Sequence, residues 1–174
     1  MEAYKVILVG DVGVGKTSYL ERFRSGHFLK QYIATYGVEE YPLVFSTNYG
    51  LVRFTVVDVS GQEKFGGVSD LDRHFSDADA AIIMFDVNSR LSYKNLGCWN
   101  GIIDEKLDSK SIPRVVCGNK VELGDRKVKV RSITWPRRKG YHYCEISTKS
   151  MHNFEKPFLY LVRQLSKHED LIFA

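Results

Sequence analysis

The stretch GDVGVGKT, from Gly10 to Thr17, constrains the fold more than any other part of this sequence. It follows an apolar run of strand length, Tyr4–Val9, and it leads into a helical stretch that begins at Lys16. Its glycines let the backbone curl so that successive N–H groups point inward at phosphate oxygens, helped by the positive end of the following helix. Lys16 supplies a point charge to the outer phosphates, and the Thr17 hydroxyl supplies a ligand for Mg²⁺. The stretch therefore predicts a phosphate loop between a strand and a helix.

Apolar, β-branched runs of strand length recur along the chain with helical stretches between them, which is typical of parallel βαβ units. A further run, Tyr41–Thr47, contains Pro42 and leads through the hairpin signal Asn48-Tyr49-Gly50 into the next strand, so we expect it to be antiparallel and at the sheet edge. The other predicted strands are Tyr4–Val9, Leu51–Val57, Ala80–Phe85, Pro113–Cys117 and Tyr141–Ile146, and the predicted helices are Lys16–Ser25, Ser92–Leu107 and Phe154–Ser166.

Length and composition predict a single soluble domain over residues 1–174, and the alternation of strand and helix runs makes it an α/β domain. No run approaches the roughly 18 apolar residues of a spanning helix, and neither end carries a secretory signal or a lipidation motif. The three cysteines are odd in number and lack metal-ligand spacing, so we expect reduced thiols in a cytosolic or nuclear protein.

Polar, turn-rich motifs follow the carboxyl ends of four predicted strands. They are GDVGVGKT after Val9, DVSGQ after Val57, GNKVE after Cys117 and STK after Ile146. Ligands of open α/β sheets bind outside those strand ends, so the four motifs are expected to form one crevice.

The chemistry of the later motifs points to a nucleotide with Mg²⁺. The Asp58 carboxylate is suited to hold the metal through water, the Gly61 N–H to reach a terminal phosphate, and the Gln62 amide to orient an attacking water. The stretches Asn119-Lys120-Val121-Glu122 and Ser147-Thr148-Lys149 are the candidates for recognising the base. A carboxylate that accepts two parallel N–H bonds selects guanine over adenine.

In these motifs the chain resembles the Ras-like small GTPases, and among them most closely the Ran family of nuclear-transport GTPases. The resemblance extends from Tyr4 to about Phe173. It implies a three-layer P-loop small-GTPase fold with a six-stranded, mostly parallel sheet, one antiparallel edge strand and about five helices. The stretches that carry the closer match are Tyr41–Phe45, Gly61–Gly67, Ile82–Val87, Cys117–Val121, Asp125–Lys129 and Asn153–Leu159.

The resemblance also implies roles for individual residues. Thr35 would join Mg²⁺ when the γ-phosphate is present, Phe28 would pack against guanine, and Tyr32 would help to place Gln62. The implied catalytic residues are Gln62, Lys16, Thr35 and Tyr32, and the implied metal ligands are Thr17, Thr35 and Asp58. The implied nucleotide-binding residues are Asp11, Val12, Gly13, Val14, Gly15, Lys16, Thr17, Ser18, Phe28, Thr35, Gly61, Asn119, Lys120, Glu122, Ser147, Thr148 and Lys149.

By resemblance the protein would be a monomeric molecular switch of the nucleus and cytoplasm that binds GTP or GDP with Mg²⁺ and hydrolyses GTP. Its conformation would change through Leu29–Val38 and Gly61–Ser76. The implied partners are importin- and exportin-type receptors, an exchange factor, a GTPase-activating protein that brings no arginine finger, Ran-binding proteins, and a GDP-state import factor that contacts Phe65. Membranes and nucleic acids are not expected as direct partners.

A basic stretch from Arg126 to Lys139 contains no acidic residue and lies in a chain of formal charge +4. Three interpretations are open from the residues: a solvated face, a dock for an acidic partner, and, third, a nucleic-acid surface that lacks stacking aromatics apart from Trp135. The family resemblance implies contact with acidic loops of transport receptors.

Several positions depart from the Ran pattern. Val12 replaces a glycine beside the γ-phosphate position, so we expect slower hydrolysis with binding retained, because backbone amides make the phosphate contacts. Glu122 replaces an aspartate, which predicts weaker guanine selectivity. Thr148 replaces an alanine whose backbone N–H contacts the base in the family. Val59-Ser60 replaces the usual Thr-Ala, and nothing in the sequence explains this substitution. The stretch Ile103–Ile112 is a few residues longer than in the family pattern.

The chain ends soon after its last predicted helix, without the acidic tail typical of Ran, and we expect easier receptor binding because that tail favours the GDP state in the family. Two classes of function remain open: an active switch, and a binding module or Ran mimic that holds GTP and barely hydrolyses it. A membrane-trafficking Rab-like GTPase is a family-level alternative, and an ATPase is a remote one.

Overall fold

A computed structural model describes residues 1–25, 38–59, 71–107 and 110–174 of the chain. The described strands form one six-stranded sheet in the order β2-β3-β1-β4-β5-β6. All neighbouring pairs are parallel except β2 and β3, which are antiparallel. The predicted α/β fold class is therefore confirmed. The strands are β1 (Glu2–Val9), β2 (Val38–Thr47), β3 (Gly50–Val59), β4 (Ala80–Asp86), β5 (Arg114–Asn119) and β6 (His142–Glu145).

The predicted antiparallel edge strand is β2, which pairs with β3 from Val38 opposite Val59 to Thr47 opposite Gly50. Its two-residue connection, Asn48-Tyr49, ends at Gly50, whose φ of +104° lies in the left-handed region that favours glycine. Pro42 has no N–H to give to a ladder, and an edge strand accommodates it because its outer side needs no partner.

Six α-helical segments occur in the described residues, and two of them divide the predicted helix Ser92–Leu107. Asn95 separates them as the C-cap of the first, where its backbone N–H donates to the Leu91 carbonyl at 3.0 Å. Two short helices were not predicted, because five or six residues are too few to show a helical period. The segments are α1 (Lys16–Ser25), α2 (Leu71–Ser76), α3 (Arg90–Lys94), α4 (Leu96–Leu107), α5 (Trp135–Lys139) and α6 (Lys156–Ser166).

The sheet has apolar side chains on both faces, which gives the protein its three layers. On one face Tyr19 of α1 and Phe158 of α6 are fully buried in one apolar cluster. On the other face Trp99 of α4 and Phe75 of α2 belong to a second cluster. Among the described helices, none is both long enough and apolar enough to cross a bilayer.

Candidate functional site

The phosphate loop, Gly10–Thr17, curls tightly between β1 and α1. A Cβ atom on Gly10 would lie 2.3 Å from the Met84 carbonyl oxygen, and a Cβ on Gly15, whose φ is +103°, would lie 2.5 Å from the Asn119 amide nitrogen. A contact under about 3 Å cannot be tolerated when the neighbour is fixed, so close approach to the adjoining strands requires both glycines. Gly13 also has a left-handed φ, of +83°.

Lys16 is the first residue of α1, and its ammonium group lies inside this loop. Its Nζ donates to the Gly10 carbonyl at 2.8 Å and to the Asp11 carbonyl at 3.0 Å. Burial lowers the pKa of Lys16 from 10.5 to about 8, an effect that the nearby carboxylates of Asp58 and Asp11 partly oppose. A buried cation whose charge is poorly compensated gains strongly from a polyanion, so this lysine is suited to bind phosphate.

Thr17 and Asp58 provide oxygen ligands of the kind that Mg²⁺ prefers. The Thr17 hydroxyl donates to Oδ2 of Asp58 at 2.6 Å, which directs the proton toward the carboxylate and lone pairs away from it. Oδ1 of Asp58 is buried and has no hydrogen-bond partner among the described residues. Burial also raises the pKa of Asp58, despite the opposing effects of the Thr17 hydrogen bond and the Lys16 charge.

The residues present fit a magnesium ion held partly by phosphate and water. A buried carboxylate oxygen without a partner is costly, and a metal-bound water or the metal itself would satisfy it. No group of three or more histidine, cysteine, aspartate or glutamate side chains gathers in the described ranges. Mg²⁺ does not need such a cage, because it keeps several waters and takes one or two carboxylates plus phosphate oxygens.

Two side chains of the GNKVE stretch tie it to the phosphate loop. The Asn119 amide donates to the Val14 carbonyl at 3.0 Å, and the Lys120 ammonium donates to the Gly13 carbonyl at 2.8 Å. Lys120 also pairs with Asp86 at 3.1 Å, a partner that the sequence analysis did not assign to the site. The predicted convergence of separate motifs thus takes the form of direct hydrogen bonds.

The base-recognition candidates also contact one another. The Ser147 hydroxyl donates to Oε1 of Glu122 at 2.7 Å and accepts from the Ser150 backbone N–H at 2.9 Å. The carboxylate of Glu122, although one methylene longer than the family aspartate, is therefore held by a fully buried serine. The backbone N–H of Thr148 contacts the Asn119 side-chain oxygen at 3.4 Å, a long and weak interaction that a base oxygen could replace.

Of the remaining site candidates, three lie within the described residues and five lie outside them. Val12 is 46% exposed, and the exposed Lys149 follows the buried Thr148. Ser18 lies in the first turn of α1. Phe28, Tyr32, Thr35, Gly61 and Gln62 lie outside the described residues, so their roles remain predictions.

A contact at Asp11 was missed by the sequence analysis. Its carboxylate accepts from the Asn95 amide at 2.5 Å and from the Trp99 indole N–H at 2.9 Å. Asn95 and Trp99 lie four residues apart beyond β4, a spacing that places them on one helical face. That spacing was the available signal, but no motif connected the pair to the phosphate loop.

A sequence model of the Ras family matches residues 5–167 of this chain, which is nearly its whole length. The chain belongs to the Ras family. It is thus a small GTPase, which binds guanine nucleotide, generally with Mg²⁺, and acts as a switch together with regulators. In this Ras-family protein the phosphate loop, the Thr17–Asp58 pair and the Asn119 and Ser147 loops meet at the carboxyl edge of the sheet, where the fold class places a ligand.

Proposed function

We propose that this Ras-family GTPase is a Ran-like switch of nucleocytoplasmic transport, which binds importin- and exportin-type receptors when loaded with GTP. The observation that supports this proposal is the exposed basic surface formed by Lys129, Arg131, Arg137, Arg138 and Lys139. A patch of one charge sign steers an acidic partner and raises the association rate. The matching partner chemistry is an acidic receptor loop.

The structure corrects the extent of this basic surface. Arg126 was counted in it, but its guanidinium forms a two-point ion pair with Glu145, including a bond from Nη1 to Oε1 at 2.9 Å. Lys127 pairs with Asp125 at 3.0 Å. These two charges are therefore locally compensated, and the proposed partner surface is limited to α5 and the turn before it.

The basic surface is also held in place before any partner binds. The Tyr93 hydroxyl accepts from the Thr134 and Trp135 backbone N–H groups at 3.1 and 3.2 Å and donates to the Ser132 carbonyl at 3.3 Å. A preorganised surface loses less conformational entropy on binding. Trp135 packs edge-on against Tyr141 and is only partly exposed, which argues against a base-stacking role and supports a protein partner over nucleic acid.

The proposal is tested by titrating an importin-type receptor with the protein loaded with GDP or with a non-hydrolysable GTP analogue. We expect tight binding only in the GTP-analogue form. Reversing three charges together, with Arg137→Glu, Arg138→Glu and Lys139→Glu, should weaken it on the order of tenfold to a hundredfold and flatten its salt dependence. Lys127→Glu is the matched control, because that charge is already paired, and it should change affinity little. Equal binding in both nucleotide states would reject the proposal.

Guanine selectivity is proposed to come from Glu122 as held by Ser147. Two parallel N–H bonds from guanine to this carboxylate have no counterpart in adenine, where the ring nitrogen is an acceptor. Competition of GTP against ATP and XTP for the site tests this, and ATP binding as tight as GTP binding would contradict it.

A GTP-retaining binding module is the second candidate, and Val12 is the observation that favours it. Its branched side chain is 46% exposed in the phosphate loop. At that place we propose that it displaces Gln62 or the attacking water, where a misplacement of about 1 Å costs on the order of a hundredfold in rate. A single-turnover assay of Val12→Gly decides between the candidates: a large rate increase supports slow hydrolysis in the natural chain, and an unchanged rate refutes it.

The remaining assignments stay proposals of the same kind. We propose a monomer that shuttles between nucleus and cytoplasm and is served by an exchange factor, a GTPase-activating protein and Ran-binding proteins. Imaging of the full chain in cells tests its location, and a uniform distribution that ignores nucleotide state would argue against it.

A further inference from the structure

We propose that Asp11 is a positioning residue, which sets the conformation of the phosphate loop through Asn95 and Trp99. The proposal rests on the guanine-nucleotide binding of the family and adds a device specific to the residues of this chain. Asp11 lies within the loop, yet its two carboxylate oxygens face the helical pair α3–α4, where Oδ2 accepts from Asn95 and Oδ1 from Trp99.

The two donors are themselves fixed before they contact the loop. The Asn95 backbone N–H donates to the Leu91 carbonyl at 3.0 Å, and its carbonyl accepts from the Trp99 N–H at 3.1 Å. The Trp99 ring is 1% exposed in the apolar cluster behind the sheet. The helical junction therefore presents a rigid pair of N–H groups with the spacing of one carboxylate.

Asp11 is held on its main chain as well as on its side chain. Its carbonyl accepts from Lys16 Nζ at 3.0 Å and from the Val14 backbone N–H at 3.4 Å. The direction of its peptide groups, and with it the direction of the N–H groups that face phosphate, is thus set by contacts on both sides. We call the contacts of the Asp11 carboxylate with Asn95 and Trp99 the Asp11 clamp. Hydrogen bonds to an ionised acceptor are stronger than neutral ones, so this clamp resists rotation of the loop.

The Asp11 clamp also keeps the negative charge of Asp11 away from the phosphates. A carboxylate in a loop that binds a polyanion would repel the ligand if it turned toward the phosphates. Bonded to two neutral donors, it is directed toward α4 instead. Loss of the donors is therefore expected both to loosen the loop and to release a repelling charge, and each effect speeds nucleotide release.

The test measures the dissociation rate of a fluorescent GDP with Mg²⁺ from the full chain. We expect Asp11→Ala and Trp99→Phe each to raise that rate by at least about tenfold, and the double variant to raise it by less than the product of the two, because both remove the same contact. Tyr49→Phe is the matched control: it removes a hydroxyl that donates to Asp170 at the β2–β3 hairpin, and it should leave the rate within about twofold.

A rescue variant separates positioning from general loss of stability. Combining Asp11→Asn with Asn95→Asp keeps an oxygen opposite the Trp99 indole and an N–H to oxygen bond between the two exchanged positions, so release should return to within about threefold of the natural chain. In a Trp135→Phe background, emission from Trp99 should shift when GDP binds, and that shift should be lost in Asp11→Ala.

Each outcome bears on the proposal. The proposal would be overturned if folded Asp11→Ala released GDP at the natural rate. It would also be overturned if the folded double variant Asp11→Asn with Asn95→Asp released GDP as fast as Asp11→Ala. Neither result would contradict nucleotide binding itself. If Asp11→Ala does not fold, Trp99→Phe and the exchanged pair decide by the same criteria. A natural chain that binds no guanine nucleotide would overturn both this inference and the proposed function.

Discussion

Nucleotide affinity should fall as pH rises above about 8, because Lys16 must be protonated to bind phosphate. Burial lowers the pKa of its ammonium group from 10.5 to about 8, which corresponds to about 3 kcal/mol against the charged form. Phosphates placed at the loop supply the missing negative charge and return the pKa toward or above its ordinary value. Binding near and above pH 8 therefore takes up a proton.

The size of the effect follows from proton linkage. If the bound form has a pKa of at least about 10.5, the affinity for GDP should drop about eightfold between about pH 7.5 and about pH 9. GDP is the better ligand for this test, because its phosphates are already ionised over the range. The sign is fixed by the pKa values: the free protein loses its proton first, so affinity is highest below the free pKa and declines above it.

Calorimetry in two buffers of different ionisation enthalpy measures the uptake directly. We expect about three-quarters of a proton taken up per GDP at about pH 8.5. Lys16→Arg, which does not titrate here, should abolish the uptake and flatten the pH dependence, whereas Lys127→Arg should retain both. Uptake below about one-fifth of a proton in the natural chain would show that burial does not shift Lys16 as argued.

Three further predictions concern the loops around Lys16. Gly15→Ala should abolish nucleotide binding, measured by fluorescent GDP titration, because its Cβ would lie 2.5 Å from the Asn119 amide; binding within about threefold of the natural chain would contradict this. Asp58→Asn should weaken Mg²⁺-dependent retention of GDP by at least about tenfold while leaving retention in EDTA little changed, and an equal loss in both conditions would exclude a metal role. Ser147→Ala should lower GTP affinity about tenfold through the loss of the bond that holds Glu122, and affinity unchanged in competition assays would show that the serine does not orient it.

The sequence predicted the positions of the strands along the chain and the antiparallel direction of β2, because apolar runs and turn signals are local. The hairpin at Asn48-Tyr49 and the edge position of β2 followed from a proline and a glycine whose backbone limits are known. The division of the helix at Asn95 and the five-residue α5 were not predictable, because neither leaves a full period of apolar spacing.

The site was predictable as a set of loops but not as a set of bonds. Parallel strands bring their carboxyl ends to one edge, so the meeting of Thr17 with Asp58 followed from topology. The ion pair that removes Arg126 from the basic surface did not, because Glu145 lies 19 residues away on β6 whereas Arg126 lies in the loop after β5. Whether two such charged side chains pair depends on their distance in the folded protein, which neither stretch of sequence shows by itself.

The bonds between loops imply that base and phosphate recognition are not independent in this protein. Asn119 and Lys120 hold the carbonyls of Val14 and Gly13, so the loop proposed to recognise guanine also fixes the phosphate loop. A substitution such as Asn119→Ala removes a support of the phosphate loop as well as a neighbour of the base. It should therefore weaken binding of guanosine diphosphate by a larger factor than it weakens binding of guanosine alone, since only the diphosphate uses both loops.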